Sequence, residues 1–437
     1  MLKVLAVTWP LLLGMLLLML GNGLQGTLLA IRGGIEGFET WQMSVVMSAY
    51  FAGFLVGSQL TPVLLARVGH VRVFAALGSL VSAVYILYAA VPDWIVWTAL
   101  RVLIGFCFAG VYVTAESWLN DASTNETRGQ ALSLYMIMQM LGIITAQGLL
   151  NMADPGGYTL FVIASVLVSL AFTPILLTVS PAPAFSATKP MGLRRLWEIS
   201  PLGCVGVFIM GGIYAAILGM AAVWGGLQGL SVLEISIFVA AIYFGGLVFQ
   251  YPIGWLSDRT DRRQLIAGVA AFCGLVALLA GLIALPFVAL VVAAFLIGGM
   301  ANPLYALLLA HTNDYLNLED MAGASGGLLF INGVGAVSGP LIIGWLMGQV
   351  GPGGFFLFIA VICAFLVAYT LWRMRRREAV ALEDQGAYTP LTPTASVVTL
   401  DAAFEYGSTE SGEADTDTGA TATETAEGDS ADAEDRR

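Results

Sequence analysis

The chain has 437 residues, of which 58% are hydrophobic and only 11% are charged. A soluble core cannot use that much apolar side chain, so the composition argues against a soluble enzyme and against a nucleic-acid partner. The net charge of −11 is misleading, because residues 378–437 alone hold 15 acidic and 2 basic side chains and the rest of the chain is slightly basic.

Twelve stretches are long and apolar enough to cross a bilayer as helices. They cover about 8–30, 43–65, 73–91, 94–119, 129–150, 158–179, then 201–223, 233–255, 264–285, 287–310, 323–348 and 354–372. The first stretch lacks a small-residue cleavage pattern, which favours a retained helix over a signal peptide. The expected fold is an all-α membrane protein with twelve transmembrane helices in two pseudo-symmetric six-helix halves.

The loops differ in positive charge, and this difference predicts the orientation. One set of loops carries only Arg32, whereas the other set carries Lys3, Arg67, Arg72, Arg128, Lys189, Arg194, Arg195, Arg259, Arg262, Arg263 and the cluster at 373–377. We therefore expect a multi-pass protein of the cytoplasmic (inner) membrane with both termini in the cytoplasm.

Changes in composition divide the chain into four parts. We expect an N-terminal half at 1–180, a cytoplasmic linker with a short surface helix at 181–200, a C-terminal half at 201–375, and an acidic tail at 376–437. The tail turns to Ala, Thr, Glu, Asp, Gly and Ser, which predicts disorder. It either adds solubility or makes a regulatory contact with the basic loops.

Three separate segments recur about 193 residues later. Residues 105–112 and 120–121 return at 298–305 and 313–314, residues 50–53 return at 243–246, and Gln139 returns as Asn332. One spacing that links three places indicates a duplicated membrane domain, which is typical of transporters.

Polar side chains inside lipid are costly and indicate surfaces that face protein or water. The third, sixth, ninth and twelfth spans lack Asn, Gln and charges at their centres, so we expect them to face lipid. The predicted substrate or proton path comprises Arg101, Glu116, Gln25, Asn22, Tyr112, Gln139, Gln147, Asn302, Tyr305 and Asn332. No metal, cofactor or catalytic residues are expected.

The fourth span carries two charges on one face. Arg101 lies about 10 Å from the Trp94 end, and about 22 Å along the axis from Glu116, too far to pair with it. Arg101 either acts on substrate or links to polar groups of the first or fifth span. Glu116 either binds and releases a proton or gates the path, or it forms an ion pair with Arg67 or Arg72.

The loop at 254–263 reads GWLSDRTDRR and resembles the cytoplasmic loop signature of the major facilitator superfamily. Arg101 followed by Gly105 is similar to the span-four arginine motif of that family, and 115–121 with 125–136 resemble its YcaD-like branch. The resemblance covers about residues 1–375. It implies twelve helices, substrate binding between two rocking halves, and loop residues that gate: Gly254, Asp258, Arg259, Arg262, Arg263, Arg67, Gly69, Arg72 and Arg128.

The first-half loop departs from that signature, because Ala66 stands where the family usually has Asp. The Gly-Pro signature of antiporters is absent from the fifth span, and a similar string appears at 333–340. In the second half, the family's symmetry puts the eighth span beside the fifth. We therefore predict an ion pair between Asp258 and Arg128 that favours the cytoplasm-closed state.

The predicted function is secondary active transport of a small polar or anionic metabolite. No nucleotide-binding loop of the G-x-x-x-x-G-K-S/T kind is found, which argues against ATP as the driving force. Protons are the expected coupling ion, because Glu116 is a carboxylate that lies within a span and away from the loop junctions. The expected partners are the substrate, protons and the lipid bilayer, and the expected state is a monomer. The alternatives are a drug or metabolite efflux antiporter and a transporter-like membrane sensor.

Overall fold

The computed structural model describes residues 2–121, 123, 125–177 and 191–404. In the first half, the helices are α1 (Leu2–Ile35), α2 (Thr40–Val68), α3 (His70–Ala90), α4 (Trp94–Asp121), α5 (Asn125–Leu149) and α6 (Thr159–Leu177). Within the described part of the chain, twelve helical segments are long and apolar enough to cross a membrane. The predicted spans are confirmed, with ends that differ by a few residues.

The second half begins with a short helix, α7 (Leu193–Ile199), inside the predicted linker. The next span consists of α8 (Pro201–Ala215), a π-helical turn at Ala216–Met220, and α9 (Ala221–Leu227). The remaining spans are α10 (Val232–Ser257), α11 (Arg262–Leu282), α12 (Phe287–Asn313), α13 (Leu318–Val350) and α14 (Gly354–Met374). The rest of the predicted linker, up to residue 190, lies outside the described residues.

Local sequence explains where the helices begin and end. Ser231 caps α10 and exchanges hydrogen bonds with Glu234 three residues later. The carboxylate of Asp93 accepts hydrogen bonds from the first backbone N–H groups of α4. Gly69 separates α2 from α3 with a φ of 83°, a left-handed conformation that favours glycine.

Exposed apolar side chains cover α3, α6, α11 and α14, as expected for helices that face lipid. Leu80, Val166, Leu275 and Phe365 are examples, one from each helix. A large exposed apolar surface on a soluble protein would favour aggregation, whereas in lipid it is stable.

The repeated glycines bring pairs of helices into backbone contact. A Cβ added at Gly105 of α4 would lie 1.8 Å from the carbonyl oxygen of Tyr50 in α2, and one at Gly298 of α12 would lie 2.0 Å from that of Ile242 in α10. Small residues permit such close approach between helices in membranes. The 193-residue repeat therefore records two equivalent helix pairs, α2 with α4 and α10 with α12.

The ends of the bundle differ in charge. We call the end with loops 67–72, 259–263 and 373–377 the basic face, and the other end the opposite face. The halves touch toward the opposite face, where the Asn151 amide donates to the Ser236 hydroxyl at 3.1 Å. Ser48 of α2 also donates to the carbonyl of Val337 in α13 at 2.5 Å.

Toward the basic face, residues 386–404 fill the space between the halves. This differs from the expectation of disorder from residue 376 onward. The segment 378–437 has 15 acidic side chains, and only 4 of them lie in residues 378–404. Residues 378–404 are therefore much less polar than the end of the chain. The average composition of the whole tail concealed a less polar segment whose side chains can be buried. Residues 405–437 lie outside the described residues.

Candidate functional site

A small cavity lies between the halves near the middle of the spanning helices. Its walls include Tyr50 and Phe54 of α2, Tyr214 of α8 and Asn332 of α13. Thr394 of the tail closes the side toward the basic face. Because the tail occupies the rest, the remaining free space holds little more than a water molecule. Without the tail, the cavity would open toward the basic face.

Arg101 lies beside this cavity, on the side of the opposite face. It is 5% exposed, and its guanidinium donates to the Gln25 carbonyl oxygen at 3.1 Å and to the Met47 sulfur at 3.0 Å. The guanidinium also lies 5.4 Å from the centre of the Tyr50 ring. No carboxylate of the described residues forms an ion pair with it. Of the two roles considered for Arg101, the structure shows the link to the first span, through Gln25. It also shows a contact with the second span, through Met47.

Glu116 lies closer to the basic face on the same helix and is 1% exposed. One carboxylate oxygen accepts from the Tyr135 hydroxyl at 2.9 Å, and the other accepts from the backbone N–H of Ser396 at 2.9 Å. Among the described ion pairs, none joins Glu116 to Arg67 or Arg72, both of which are exposed. Two hydrogen bonds thus satisfy a buried carboxylate that no described cation neutralises.

Several predicted path residues instead pack helices together. The Gln147 amide donates to the carbonyl of Gly23, which joins α5 to α1. A Cβ at Gly246 of α10 would lie 2.1 Å from the Asn302 amide nitrogen, so Asn302 fills the α10–α12 contact.

Of the other predicted path residues, Tyr112, Tyr305 and Gln139 are buried among the helices, and Asn22 of α1 is half-buried. The Tyr112 hydroxyl contacts the Met19 sulfur at 3.3 Å. Arg101, Gln25 and Asn332 of the predicted path lie at or beside the cavity, and the Tyr112 ring packs against the Phe54 ring of its wall with centroids 5.9 Å apart. Glu116 lies nearer the basic face.

At the basic face, Arg262 is the centre of a buried polar network. Its guanidinium donates to the Asp314 carboxylate, to the Ser257 hydroxyl at 3.1 Å, and to the carbonyl of Gly386 in the tail. The side chains of Arg262 and Asp314 are each 2% exposed. Burial raises the pKa of the Asp314 carboxyl, and the Arg262 guanidinium opposes that rise.

The predicted pair between Asp258 and Arg128 is not among the ion pairs of the described residues. Asp258 instead lies 3.5 Å from Arg262, which begins α11 four residues later, and accepts from the backbone N–H of Tyr388 at 2.9 Å. The pair was predicted for an arrangement in which the halves close at the basic face. Here the tail lies between the halves on that side, so the pairing stays a prediction.

The other loop arginines have local roles. Arg259 is exposed and lies over the Trp255 ring, 4.4 Å from its centre. Arg263 pairs with Asp261 at 2.9 Å and donates to the carbonyl of Arg377 at 2.7 Å. Gly254 gives room to the Tyr388 ring, because an added Cβ would lie 2.6 Å from it.

Tyr50, Tyr214 and the tail were not predicted as parts of this site. Tyr50 was recognised in the sequence only as part of a repeated segment. The stretch at 388–404 contained a signal, because it is rich in Thr, Ala, Val and Leu and has a single acidic residue, Asp401.

Two six-helix halves that enclose a central cavity, with apolar outer helices and a basic loop face, define a multi-pass membrane protein of the transporter type. The family model of the Major Facilitator Superfamily matches residues 11–242 and 202–404. The chain belongs to this superfamily.

Relatives of similar length support the assignment. An uncharacterized MFS-type transporter, YcaD, of Escherichia fergusonii is 28% identical over 370 residues, which are 84% of this chain and 95% of the relative. YcaD of Salmonella arizonae is 27% identical over 357 residues, which are 80% of this chain and 91% of the relative. The resemblance to the YcaD-like branch is therefore confirmed.

Solved structures share the fold at low sequence identity. The crystal structure of a point mutant of the nucleoside transporter NupG matches with a TM-score of 0.72 and 14% identity, over 84% of this chain and 99% of that one. The human organic anion transporter MFSD10 matches with a TM-score of 0.59 and 14% identity, over 83% and 98%. The predicted all-α fold is confirmed.

Proposed function

We propose that this protein is a secondary active transporter that exposes a central cavity alternately to each side of the membrane. The supporting observation is the asymmetric contact between the halves. Hydrogen bonds join them toward the opposite face, whereas the tail separates them toward the basic face. Rocking of the halves about the cavity would exchange these two arrangements.

Substrate selection is assigned to the region around Arg101. Its Nε and the amide nitrogen of Gln25 are buried donors without a hydrogen-bond acceptor in the described structure. Buried donors favour ligands that supply acceptors, and a guanidinium favours an anion. Tyr50 and Tyr214 add ring faces and hydroxyls to the wall. A small anionic or polyhydroxylated metabolite fits these groups better than a lipophilic drug.

Proton coupling is assigned to Glu116. A buried carboxylate with hydrogen-bond donors but no cation can exist with or without its proton, depending on which side its environment opens to. Rocking of the halves would change its access to water and thereby move the proton. Loss of the Ser396 contact is part of that change.

The basic face is assigned to the cytoplasm by its excess of arginine, in the inner membrane of the cell. The start of α1 and the end of α14 belong to this face, which supports cytoplasmic termini. A monomer is sufficient, because the cavity is complete within one chain.

Uptake into proteoliposomes from a mixed metabolite pool tests the proposal, with and without a pH gradient. Wild type should accumulate a solute when the gradient is present. Glu116→Gln should lose the accumulation that the gradient drives but retain exchange of labelled solute. Glu198→Gln, which changes an exposed carboxylate in α7, is the matched control and should behave like wild type.

Three results would contradict the proposal. Absence of uptake and exchange both in wild type and in a variant whose tail is displaced from the cavity would favour a membrane sensor. An unchanged pH response in Glu116→Gln would assign the proton to another group. Preference for lipophilic cations over anionic or polar metabolites would favour the efflux antiporter.

A further inference from the structure

We propose that the transport cavity is also a peptide-binding site and that its ligand is the tail of the same chain, residues 386–404. In the bound state, the tail blocks entry from the basic face and holds the halves apart there. The protein would therefore be autoinhibited until the tail leaves.

The depth of insertion is the first argument. Asn332 of α13 donates its amide hydrogen to the carbonyl of Pro393 at 3.1 Å. Asn332 lies 14 residues after Leu318, where α13 begins, and this corresponds to about 21 Å along the helix. The tip of the tail thus reaches the middle of the spanning region, whereas a tail that only covers the surface would stop at the loops.

Contacts with both halves are the second argument. Ser396 donates its backbone N–H to Glu116 in the first half. Tyr388 accepts a hydrogen bond from the Gln250 amide at 2.9 Å in the second half. A segment that bridges the halves in this way cannot stay in place when they close on this side. Insertion and closure of the basic face therefore exclude each other.

Burial of the segment is the third argument. Thr389, Leu391 and Ser396 are at most 6% exposed, and so are Leu400 and Phe404 of a helical stretch at 397–404. Side chains of this kind cannot all be buried against a flat surface, so the fit reflects an enclosed groove. By contrast, the connecting residues Ala379 and Glu383 are exposed.

The polar contacts at the mouth of the groove form the fourth argument. Asp314 accepts from the backbone N–H of Gly386 at 3.2 Å, and Arg262 donates to the carbonyl of the same residue. Asp258 accepts from the N–H of Tyr388. Bonds to the backbone select the path of the segment rather than its side chains. The gating-loop residues of the second half therefore also hold the tail.

Tethering makes this contact effective even where the free peptide binds weakly. A short flexible connection gives an effective concentration on the order of millimolar. Segment 386–404 would then occupy the cavity in most molecules even if its intrinsic dissociation constant were tens of micromolar. Any event that displaces the tail would activate the protein.

Thiol labelling of the full chain tests insertion directly, without transport. The four native cysteines are buried and should give a low background. Ser396→Cys should react with a membrane-impermeant maleimide at roughly one tenth of the rate of Glu383→Cys or less, because the first thiol is covered and the second is exposed.

Adding Leu400→Arg, which places a charge in an apolar contact, should remove the protection. Adding Ala379→Arg at an exposed position should not. Equal labelling of the two thiols in the unmodified tail would overturn the proposal.

A synthetic peptide of residues 386–404 tests the site itself. The fluorescent peptide should bind saturably to full-length Leu400→Arg, whose cavity is free. Its affinity for wild type and for Ala379→Arg should be lower by a factor of about ten or more, because their own tails compete. A peptide that itself carries Leu400→Arg is the control and should not bind. Equal binding to wild type and Leu400→Arg would overturn the proposal.

Transport supplies the functional readout and rests on the proposed function. Uptake from the metabolite pool should rise several-fold in Leu400→Arg and stay at the wild-type rate in Ala379→Arg. If no variant transports anything while labelling and peptide binding behave as expected, transport is wrong and the peptide site stands. Uptake that is equal in all three proteins would refute autoinhibition.

Discussion

Replacement of Arg262 should be the most destabilising change at the basic face. Its guanidinium and the Asp314 carboxylate are each 2% exposed, so neither is well solvated. Breaking a buried ion pair by removing one partner costs about 3–5 kcal/mol, because the other charge stays buried. The equilibrium between folded and unfolded protein would shift by roughly two to four orders of magnitude.

Thermal unfolding of the detergent-purified protein provides the assay. Arg262→Gln should lower the midpoint by several degrees. Arg259→Gln is the matched control, because that arginine is exposed and lies over Trp255, so its loss should cost about 1 kcal/mol or less. The double variant Arg262→Gln with Asp314→Asn should recover much of the loss, since no unpaired charge is then buried.

The deficit should also depend on pH. Burial already raises the pKa of Asp314 above the ordinary value of 3.8, and removal of the guanidinium would raise that pKa further. A carboxyl with a raised pKa in the folded state adds stability when it is protonated, and this contribution disappears as the pH rises through that pKa. The deficit of Arg262→Gln should therefore shrink as the pH falls toward 3.8. A deficit equal to that of Arg259→Gln, or a double variant no more stable than the single one, would refute this reasoning.

Two further predictions concern the scaffold and the contact between the halves. Gly105→Leu and Gly298→Leu should each prevent accumulation of monodisperse protein in size-exclusion chromatography, because each side chain would collide with a neighbouring backbone. Gly268→Leu should accumulate normally, since a Cβ there meets no atom within 4 Å, and similar behaviour of all three would refute the packing argument. Oxidation of Asn151→Cys with Ser236→Cys should stop uptake and reduction should restore it, whereas uptake that continues under full crosslinking would contradict alternating access.

Hydropathy and repetition predicted the fold because both follow from simple constraints. A bilayer requires about 20 apolar residues per helix, and duplicated helix pairs require glycine at the same places in both halves. Gly105 and Gly298, which the sequence relates by one spacing, accordingly lie at the equivalent backbone contact in each half.

The candidate site was predicted only in part, because polarity inside a span has two causes. Arg101 and Glu116 lie at and near the cavity, as their charges indicated. Gln147 and Asn302 are equally polar, but they satisfy backbone groups or fill a helix contact. A periodic pattern cannot distinguish these cases, since both place an amide on a protein-facing surface.

The disorder predicted for the tail does not hold at residues 386–404, for a different reason. The burial of this segment depends on the groove that two folded halves create, and no local property of 386–404 encodes that groove. The same applies to Asp258, whose ion-pair partner is Arg262 at the start of α11 rather than Arg128 at the start of α5. Long-range complementarity of this kind is visible only after the helices are assembled.

The glycine contacts limit how the molecule can deform. Where the α2 backbone touches α4 and the α10 backbone touches α12, no side chain lies between them that could adopt a second rotamer. Each pair should therefore move as one rigid body, and adjustment is left to surfaces where side chains meet, such as Asn151 against Ser236. Spectroscopic labels placed on α2 and α4 should keep a constant separation during turnover, whereas labels on α4 and α12 should report the motion.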